Sequence, residues 1–148
     1  MTVTASDEDG TWVSARVGPT GFRTELRARA HALVADEPST VGGTDAGPTP
    51  YELLLGALSA CTAMTLRMYA SRKQWPLEGV TVQLRSARSH GTDCERCDVE
   101  PVGIGRVERR VALDGPLTDE QRRRLLDIAD RCPVKQTLER GMTIVNAA

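Results

Sequence analysis

One long apolar segment, residues 53–69, limits the folds open to this chain more than any other feature. It opens with the signals of a helix start, because Thr49 can cap the helix, Pro50 fits its first turn and Glu52 is placed to complete a capping box. Apolar residues nearly encircle this helix, which we predict to end near Ser71. A helix of this kind must be buried on most sides. A chain of 148 residues rarely surrounds one alone, so we expect a partner subunit to cover part of it.

Segments on both sides of this helix alternate between apolar and polar residues, the period of two that is typical of β-strands. Strands are predicted at 11–17, 22–34 (one bent strand or two consecutive ones), 79–87, 106–115 and 142–146. Two further helices are predicted, one capped by Thr118 and Gln121 and one that begins at Pro133 and ends at Gly141. This order predicts one α+β domain over residues 1–148, with an antiparallel sheet and the long helix in its core.

Composition excludes several classes of protein. The net charge is −1, which gives no sign of a nucleic-acid-binding surface. The polar, acidic N-terminus predicts no signal peptide, and polar residues interrupt the apolar segment, which argues against a membrane span. We therefore expect a cytoplasmic protein, in which four cysteines indicate catalysis, redox sensing or metal binding more often than structural disulfides.

Cys61 and Cys132 occupy different kinds of position. Cys132 precedes Pro133 and is expected at a helix N-cap, where the helix dipole favours a thiolate and Lys135 adds positive charge. A structural cysteine buried at a kink fits the same residues equally well. Cys61 lies in mid-helix among apolar residues, so its local sequence favours inert packing. A reactive Cys61 requires an arginine from elsewhere in the fold or from a partner chain.

Cys94 and Cys97 form a C-x-x-C motif with His90 four residues before it. As a zinc site the motif is incomplete, because only His31 and the other two cysteines could add ligands. As a thioredoxin-type motif it lacks the strand-to-helix context. We predict a pair of loop cysteines with no essential role, and the alternatives are a hairpin loop that carries an exposed dithiol and a metal site completed by a partner. No phosphate or dinucleotide motif is present, so no cofactor is expected.

Two distant motifs together resemble the OsmC/Ohr family. The first is G-x-x-P-x-x-L-L-x-x-x-x-x-x-C in GPTPYELLLGALSAC, residues 47–61, and the second is C-P-V in CPVKQTL, residues 132–138. The resemblance extends over about residues 22–146. It implies the OsmC-like α+β fold, in which an antiparallel sheet wraps around a central buried helix. It also implies an intertwined homodimer with its active sites at the subunit interface.

The resemblance further implies a thiol-dependent peroxidase in oxidative or osmotic stress defence. Cys61 is then the peroxidatic residue that attacks an organic hydroperoxide and becomes a sulfenic acid. Cys132 resolves it by forming a disulfide, which an external dithiol of the dihydrolipoyl type reduces. This requires the two sulfurs to approach within disulfide distance. The alternative is a redox-sensing or small-ligand-binding dimer without turnover.

The chain departs from the family pattern at the residue that helps to activate the peroxidatic thiolate. In well-studied hydroperoxide reductases a glutamate immediately follows the proline of the helix start, and it pairs with an arginine. Here Tyr51 has that position and Glu52 comes one residue later. At 100° per residue Glu52 and Cys61 point to nearly opposite sides of the helix, so Glu52 is better explained as the capping acid.

The remaining activating candidates are cations. Arg23 is the first candidate for the arginine that faces Cys61, with Arg27 and Arg29 as rivals. Lys135 has the position at which many members of a less characterised branch of the family carry a histidine, and it keeps a positive charge near Cys132.

Overall fold

The computed structural model describes residues 10–147. Most of the N-terminal segment for which we predicted no signal peptide lies outside these residues. The described elements are β1 (Val13–Val17), β2 (Thr24–Ala28), β3 (His31–Ala35), α1 (Pro50–Lys73), β4 (Gly79–Arg85), α2 (His90–Arg96), β5 (Glu108–Asp114), α3 (Asp119–Ala129) and α4 (Pro133–Arg140), with one 3₁₀ turn at Ser39–Val41. All strand pairs are antiparallel, which confirms the predicted α+β class.

These residues divide into two compact units. The first contains residues 10–53 and 89–103, and the second contains residues 54–88 and 104–147. Helix α1 begins in the first unit and continues through the second. The single domain over residues 1–148 stays a prediction.

The first unit is built on a three-stranded sheet in the order β1-β2-β3. The alternating segment 22–34 forms two consecutive strands, one of the two forms we predicted. Arg29, in the turn between them, has a φ of 54°, a left-handed conformation that a tight reversal between two antiparallel strands requires.

The loop that leads from β3 to α1 is folded around the buried carboxylate of Asp36. This carboxylate accepts hydrogen bonds from the Thr44 hydroxyl at 2.6 Å and from the backbone N–H groups of Glu37 at 2.8 Å and Ala46 at 3.1 Å. The Thr44 hydroxyl is the main cause that holds the pKa of Asp36 below its ordinary value. A Cβ on Gly43 would lie 1.8 Å from the Glu37 carbonyl oxygen, so only glycine fits the loop there.

The second unit packs α1 and α3 against the hairpin sheet of β4 and β5. Helix α1 presents a row of residues at four-residue spacing, which places them on one face. This row contains Leu58, Thr62, Leu66 and Ala70. The core is completed by side chains from the β4 entry and from α3, namely Leu77, Leu117, Leu125, Ile128 and Ala129.

Helix α1 is not buried on most sides by its own chain, and the partner subunit that we expect to cover the rest stays a prediction. Only one row is covered, and Met64 and Met68 on another face are 61% and 65% exposed. By length and composition alone α1 is apolar enough to cross a membrane, a test that the core helix of a soluble protein also passes. The apolar pattern of a helix predicts how much of its surface must be buried, but it does not predict whether the same chain or a partner chain covers that surface.

Two local predictions were wrong. Residues 142–146 form no strand, because no other strand of the described residues pairs with them, and Ile144 is 87% exposed. The segment predicted as a loop around Cys94 is helix α2. Ser89 caps α2 by accepting a hydrogen bond from the Thr92 N–H, which starts a helix where we expected a turn.

Candidate functional site

Cys61 and Cys132 lie in the second unit, close enough for each side chain to influence the pKa of the other. Both cysteines are free. Cys132 is fully buried, whereas Cys61 is partly exposed. Two residues that are distant in the sequence therefore come together as a pair of free thiols, one buried and one partly exposed.

Helix α1 holds Cys61 beside its buried row. Thr62, the next residue, is fully buried, and its hydroxyl donates to the Leu58 carbonyl at 2.9 Å. Thr65 lies four residues after Cys61, and its hydroxyl acts to lower the pKa of the Cys61 thiol. Two of the polar residues that interrupt the apolar segment, Thr62 and Thr65, therefore lie beside the two cysteines.

The sharp turn between α3 and α4 positions Cys132. Arg109 of β5 donates to the Ala129 carbonyl at 3.2 Å and pairs with Asp130 at 2.7 Å, which ties the end of α3 to the sheet. The Gln136 side chain donates to the carbonyl of Arg131 at 2.8 Å. The Ala129 carbonyl also accepts from the Cys132 N–H at 3.5 Å, and together these contacts fix the turn that carries Cys132.

Cys132 is the N-cap of α4, and Pro133 is the first helical residue, as predicted. Burial acts to raise the pKa of Cys132, but hydrogen bonds to its sulfur outweigh burial and lower that pKa. The groups that lower it are the Cys61 side chain, the backbone N–H groups of Lys135 and Val134 and the Thr62 hydroxyl, although the Cys132 side chain makes no cap hydrogen bond to α4. The helix N-terminus thus favours negative charge on this buried sulfur.

The pKa of Cys61 shifts the opposite way. Burial is the main cause that raises it, and the hydrogen bond and the charge of Cys132 raise it further. The Val134 backbone N–H and the Thr65 hydroxyl act in the other direction without reversing the shift. Within the described residues, none of the groups that act most strongly on Cys61 carries a positive charge.

Glu52 and Tyr51, the two candidates at the helix start, belong to the first unit. Glu52 completes a capping box, since its carboxylate accepts from the Thr49 N–H at 2.8 Å and its N–H donates to the Thr49 hydroxyl at 3.2 Å. This confirms its capping position. Tyr51 donates from its hydroxyl to Asp93 at 2.6 Å and packs edge-on against His90.

The two cationic candidates have carboxylate partners. Arg23 lies just before β2, is exposed and pairs with Glu25 at 3.0 Å. Lys135 pairs with Glu139 at 2.8 Å, so its contribution to Cys132 comes through its backbone N–H. The activating role of Arg23 stays a prediction.

The second cysteine pair has a different environment. Cys94 and Cys97 are exposed, and the Cys97 thiol donates to the Cys94 carbonyl at 3.2 Å. His90 contacts the carboxylate of Glu37 through its Nδ1 atom. Between residues 10 and 147 no three His, Cys, Asp or Glu side chains are arranged to hold a metal ion.

A cavity of about 390 Å³ opens in the second unit, and neither Cys61 nor Cys132 lines it. Leu58, one turn before Cys61, and Lys135, one turn after Cys132, both line it. The other walls combine aliphatic side chains with three charged ones: Leu54, Leu55, Leu84, Ile104, Val107 and Leu138 beside Arg106, Arg109 and Glu139. Its size and lining are those of a site for a small apolar ligand.

The sequence analysis missed four residues that shape the dithiol: Thr62, Thr65, Arg109 and Gln136. The two threonines left a signal, because hydroxyl residues beside Cys61 are out of place in a purely structural apolar helix. The arginine left none, since its contacts join residues 20 and 21 positions apart. The Gln136 contact spans only five residues, but it depends on the turn between α3 and α4.

Comparison with known proteins agrees with this geometry. The sequence profile of the family described as OsmC-like protein matches residues 43–145. No curated protein matches the chain. Among solved structures, an OsmC-like protein from Mycoplasma pneumoniae aligns with a TM-score of 0.70 at 18% identity, covering 88% of this chain and 87% of that one.

Two further structures carry a more specific description. An organic hydroperoxide resistance protein OsmC from Legionella pneumophila aligns with a TM-score of 0.64 at 18% identity, covering 87% of this chain and 88% of that one. An organic hydroperoxide resistance protein from Elizabethkingia anophelis aligns with a TM-score of 0.61 at 19% identity, covering 93% and 90%. At these identities the structural likeness shows the fold, and the profile match over most of the chain shows the family. The chain belongs to the family of OsmC-like proteins.

Proposed function

We propose that this protein is a thiol-dependent peroxidase that reduces organic hydroperoxides with Cys61 and Cys132. The observation that carries the proposal is that the fold brings together a partly exposed thiol in the middle of α1 and a buried thiol at the N-cap of α4. Names of two structural neighbours, which describe organic hydroperoxide resistance proteins, support the same chemistry.

In this proposal the accessible Cys61 attacks the terminal oxygen of the hydroperoxide and becomes a sulfenic acid, while an alcohol leaves. Cys132 then condenses with Cys61 to a disulfide and releases water. An external dithiol of the dihydrolipoyl type reduces the disulfide by exchange. No bound cofactor takes part, because sulfur provides both electrons of each turnover.

The cavity that Leu58 and Lys135 line supports an organic substrate. Its aliphatic side chains suit an alkyl group, and burial of that group favours binding by about 25 cal/mol for each Å² of apolar surface. Hydrogen peroxide has no such group, so we propose that it is the poorer substrate. The homodimer stays part of the proposal, since α1 leaves apolar residues exposed in the single chain.

A redox-sensing or ligand-binding dimer without turnover is the second candidate. One observation favours it: within the described residues no cation is among the main influences on Cys61, whose pKa is raised. Such a protein would be oxidised once by a hydroperoxide and would recycle slowly or not at all.

A steady-state assay separates the two candidates. We expect the wild-type protein to consume many equivalents of tert-butyl hydroperoxide when dihydrolipoamide is present, and Cys61→Ser to consume none above the rate without protein. Consumption that stops after about one equivalent per chain in the wild type would support the sensor instead. Turnover that survives in Cys61→Ser would contradict the assignment of Cys61.

A further inference from the structure

A second cavity, of about 380 Å³, lies within the first unit, and neither cysteine of the proposed peroxidase reaction lines it. It is bounded by the ends of β1 and β3, by the loop that follows β3 and by helix α2. Its size is that of a site for a small organic molecule. Five apolar side chains provide walls for the apolar part of such a molecule: Val17, Phe22, Ala35, Val41 and Pro50.

Three carboxylates line the same cavity, and two of them are buried. Asp36 is 2% exposed and Glu37 is 6% exposed, whereas Glu95 is an exposed residue. Among the described residues, no lysine or arginine lines the cavity. The hydrogen bonds that Asp36 accepts come from neutral groups, namely the N–H groups of Glu37, Thr44 and Ala46 and the Thr44 hydroxyl. Since buried charges in proteins are normally paired with an opposite charge, this cavity has an excess of negative charge.

Within the described residues, His90 is the single group of this cavity that can carry a positive charge. Its Nδ1 atom contacts the Glu37 carboxylate, and the Tyr51 ring packs edge-on against it with 5.2 Å between ring centroids. A protonated His90 balances one of the three carboxylates and leaves two.

The pair of Glu37 and His90 also has polar atoms to spare. Within residues 10–147, the Glu37 carboxylate has no hydrogen-bond partner besides His90, and His90 has none at its Nε2 atom. No fully buried polar side-chain atom of this part of the chain lacks a partner, so both atoms are accessible. A carboxylate oxygen and an imidazole nitrogen are therefore available to a ligand.

We propose that this cavity binds a small organic cation, an amine whose ammonium group contacts Glu37 and whose apolar body packs against Phe22 and Val41. An ammonium group has N–H donors for both the carboxylate oxygen and the His90 Nε2 atom, which accepts when Nδ1 carries the proton. The Phe22 ring is a further group that attracts a cation. A bare metal ion fits less well, because between residues 10 and 147 no three His, Cys, Asp or Glu side chains are arranged as its ligands. This binding and the peroxidase function do not depend on each other.

Isothermal titration calorimetry with three probes of similar shape and different charge tests the proposal. The probes are 2-phenylethylamine, which is a cation at neutral pH, the neutral 2-phenylethanol and the anion 3-phenylpropionate. We expect the wild-type protein to bind the amine at least about tenfold more tightly than the alcohol, and not to bind the anion at millimolar concentration. Equal affinities for the amine and the alcohol, tighter binding of the anion, or no detectable binding of the amine at millimolar concentration would overturn the proposal.

A matched pair of charge reversals locates the site. Glu95 and Glu100 are both exposed residues of the first unit, but only Glu95 lines the cavity. Glu95→Lys should weaken amine binding at least about tenfold, because the new ammonium group competes for the carboxylates of the cavity, whereas Glu100→Lys should leave it within about twofold. Equal affinities in the two variants would refute this site.

Glu37→Gln tests the contact inside the cavity. Glutamine keeps the size of the side chain and can still accept a hydrogen bond from His90, so we expect the variant to fold, and thermal unfolding checks this. It should bind the amine at least about tenfold more weakly than the wild type and the alcohol within about twofold, because only the charge is lost. Unchanged amine affinity in the folded variant would contradict the contact between the ammonium group and Glu37. If the variant does not fold, the comparison of Glu95→Lys with Glu100→Lys decides.

Discussion

The two cysteine pairs of this chain differ in almost every physical respect. Cys94 and Cys97 have the spacing of a redox motif, but both thiols are exposed on or at the end of a short helix, and one of them donates to a backbone carbonyl. Cys61 and Cys132 have no motif spacing, and they contact each other inside a packed unit. The reactivity of a thiol depends on the hydrogen-bond donors near its sulfur and on its burial, and C-x-x-C spacing alone is weak evidence of a reactive pair. We therefore expect Cys61 and Cys132 to be the reactive pair.

The largest expected effect is a difference in hydroperoxide turnover between serine variants of the two cysteine pairs. We expect Cys94→Ser/Cys97→Ser to keep hydroperoxide consumption within about twofold of the wild type, since exposed substitutions away from a site change little. Cys132→Ser should lose multiple turnover with dihydrolipoamide because no resolving thiol remains. Steady-state consumption of tert-butyl hydroperoxide measures both. If the Cys94→Ser/Cys97→Ser variant loses turnover while Cys132→Ser keeps it, the proposed difference between the two pairs is wrong.

A smaller effect is expected at Glu52, at the start of α1, because this residue caps the helix and has no role in the reactions that we propose for the cysteines. Glu52→Ala should lower the free energy of unfolding by about 1 kcal/mol, the usual scale for a lost capping contact, and should leave turnover of the folded protein within about twofold. Glu52→Gln is the matched control, because glutamine can still complete the capping box. Denaturant unfolding and the peroxidase assay on the same samples provide the measurements. Loss of turnover by orders of magnitude in Glu52→Gln would make Glu52 part of the activating machinery instead.

Sequence reasoning succeeded where the physics is local. The capping boxes of Thr49 with Glu52 and of Thr118 with Gln121 depend on residues within one turn, and the structure contains both. Cys132 at the N-cap before Pro133 was predictable for the same reason.

It failed where the outcome depends on distant residues or on another chain. Residues 142–146 alternate like a strand, but alternation does not provide a pairing partner. Nor does it say that Thr62 will face the sulfur of Cys132. The pairing of Cys61 with Cys132 came from the resemblance to a family, because nothing local links two cysteines so far apart in the sequence.

Peptide mapping after limited oxidation tests the central claim most directly. The reduced wild-type protein is treated with one equivalent of tert-butyl hydroperoxide, free thiols are alkylated under denaturing conditions, and disulfide-linked peptides are identified by mass spectrometry. The account predicts a Cys61–Cys132 disulfide, with Cys94 and Cys97 recovered as alkylated thiols. A Cys94–Cys97 disulfide with Cys61 still reduced would contradict it.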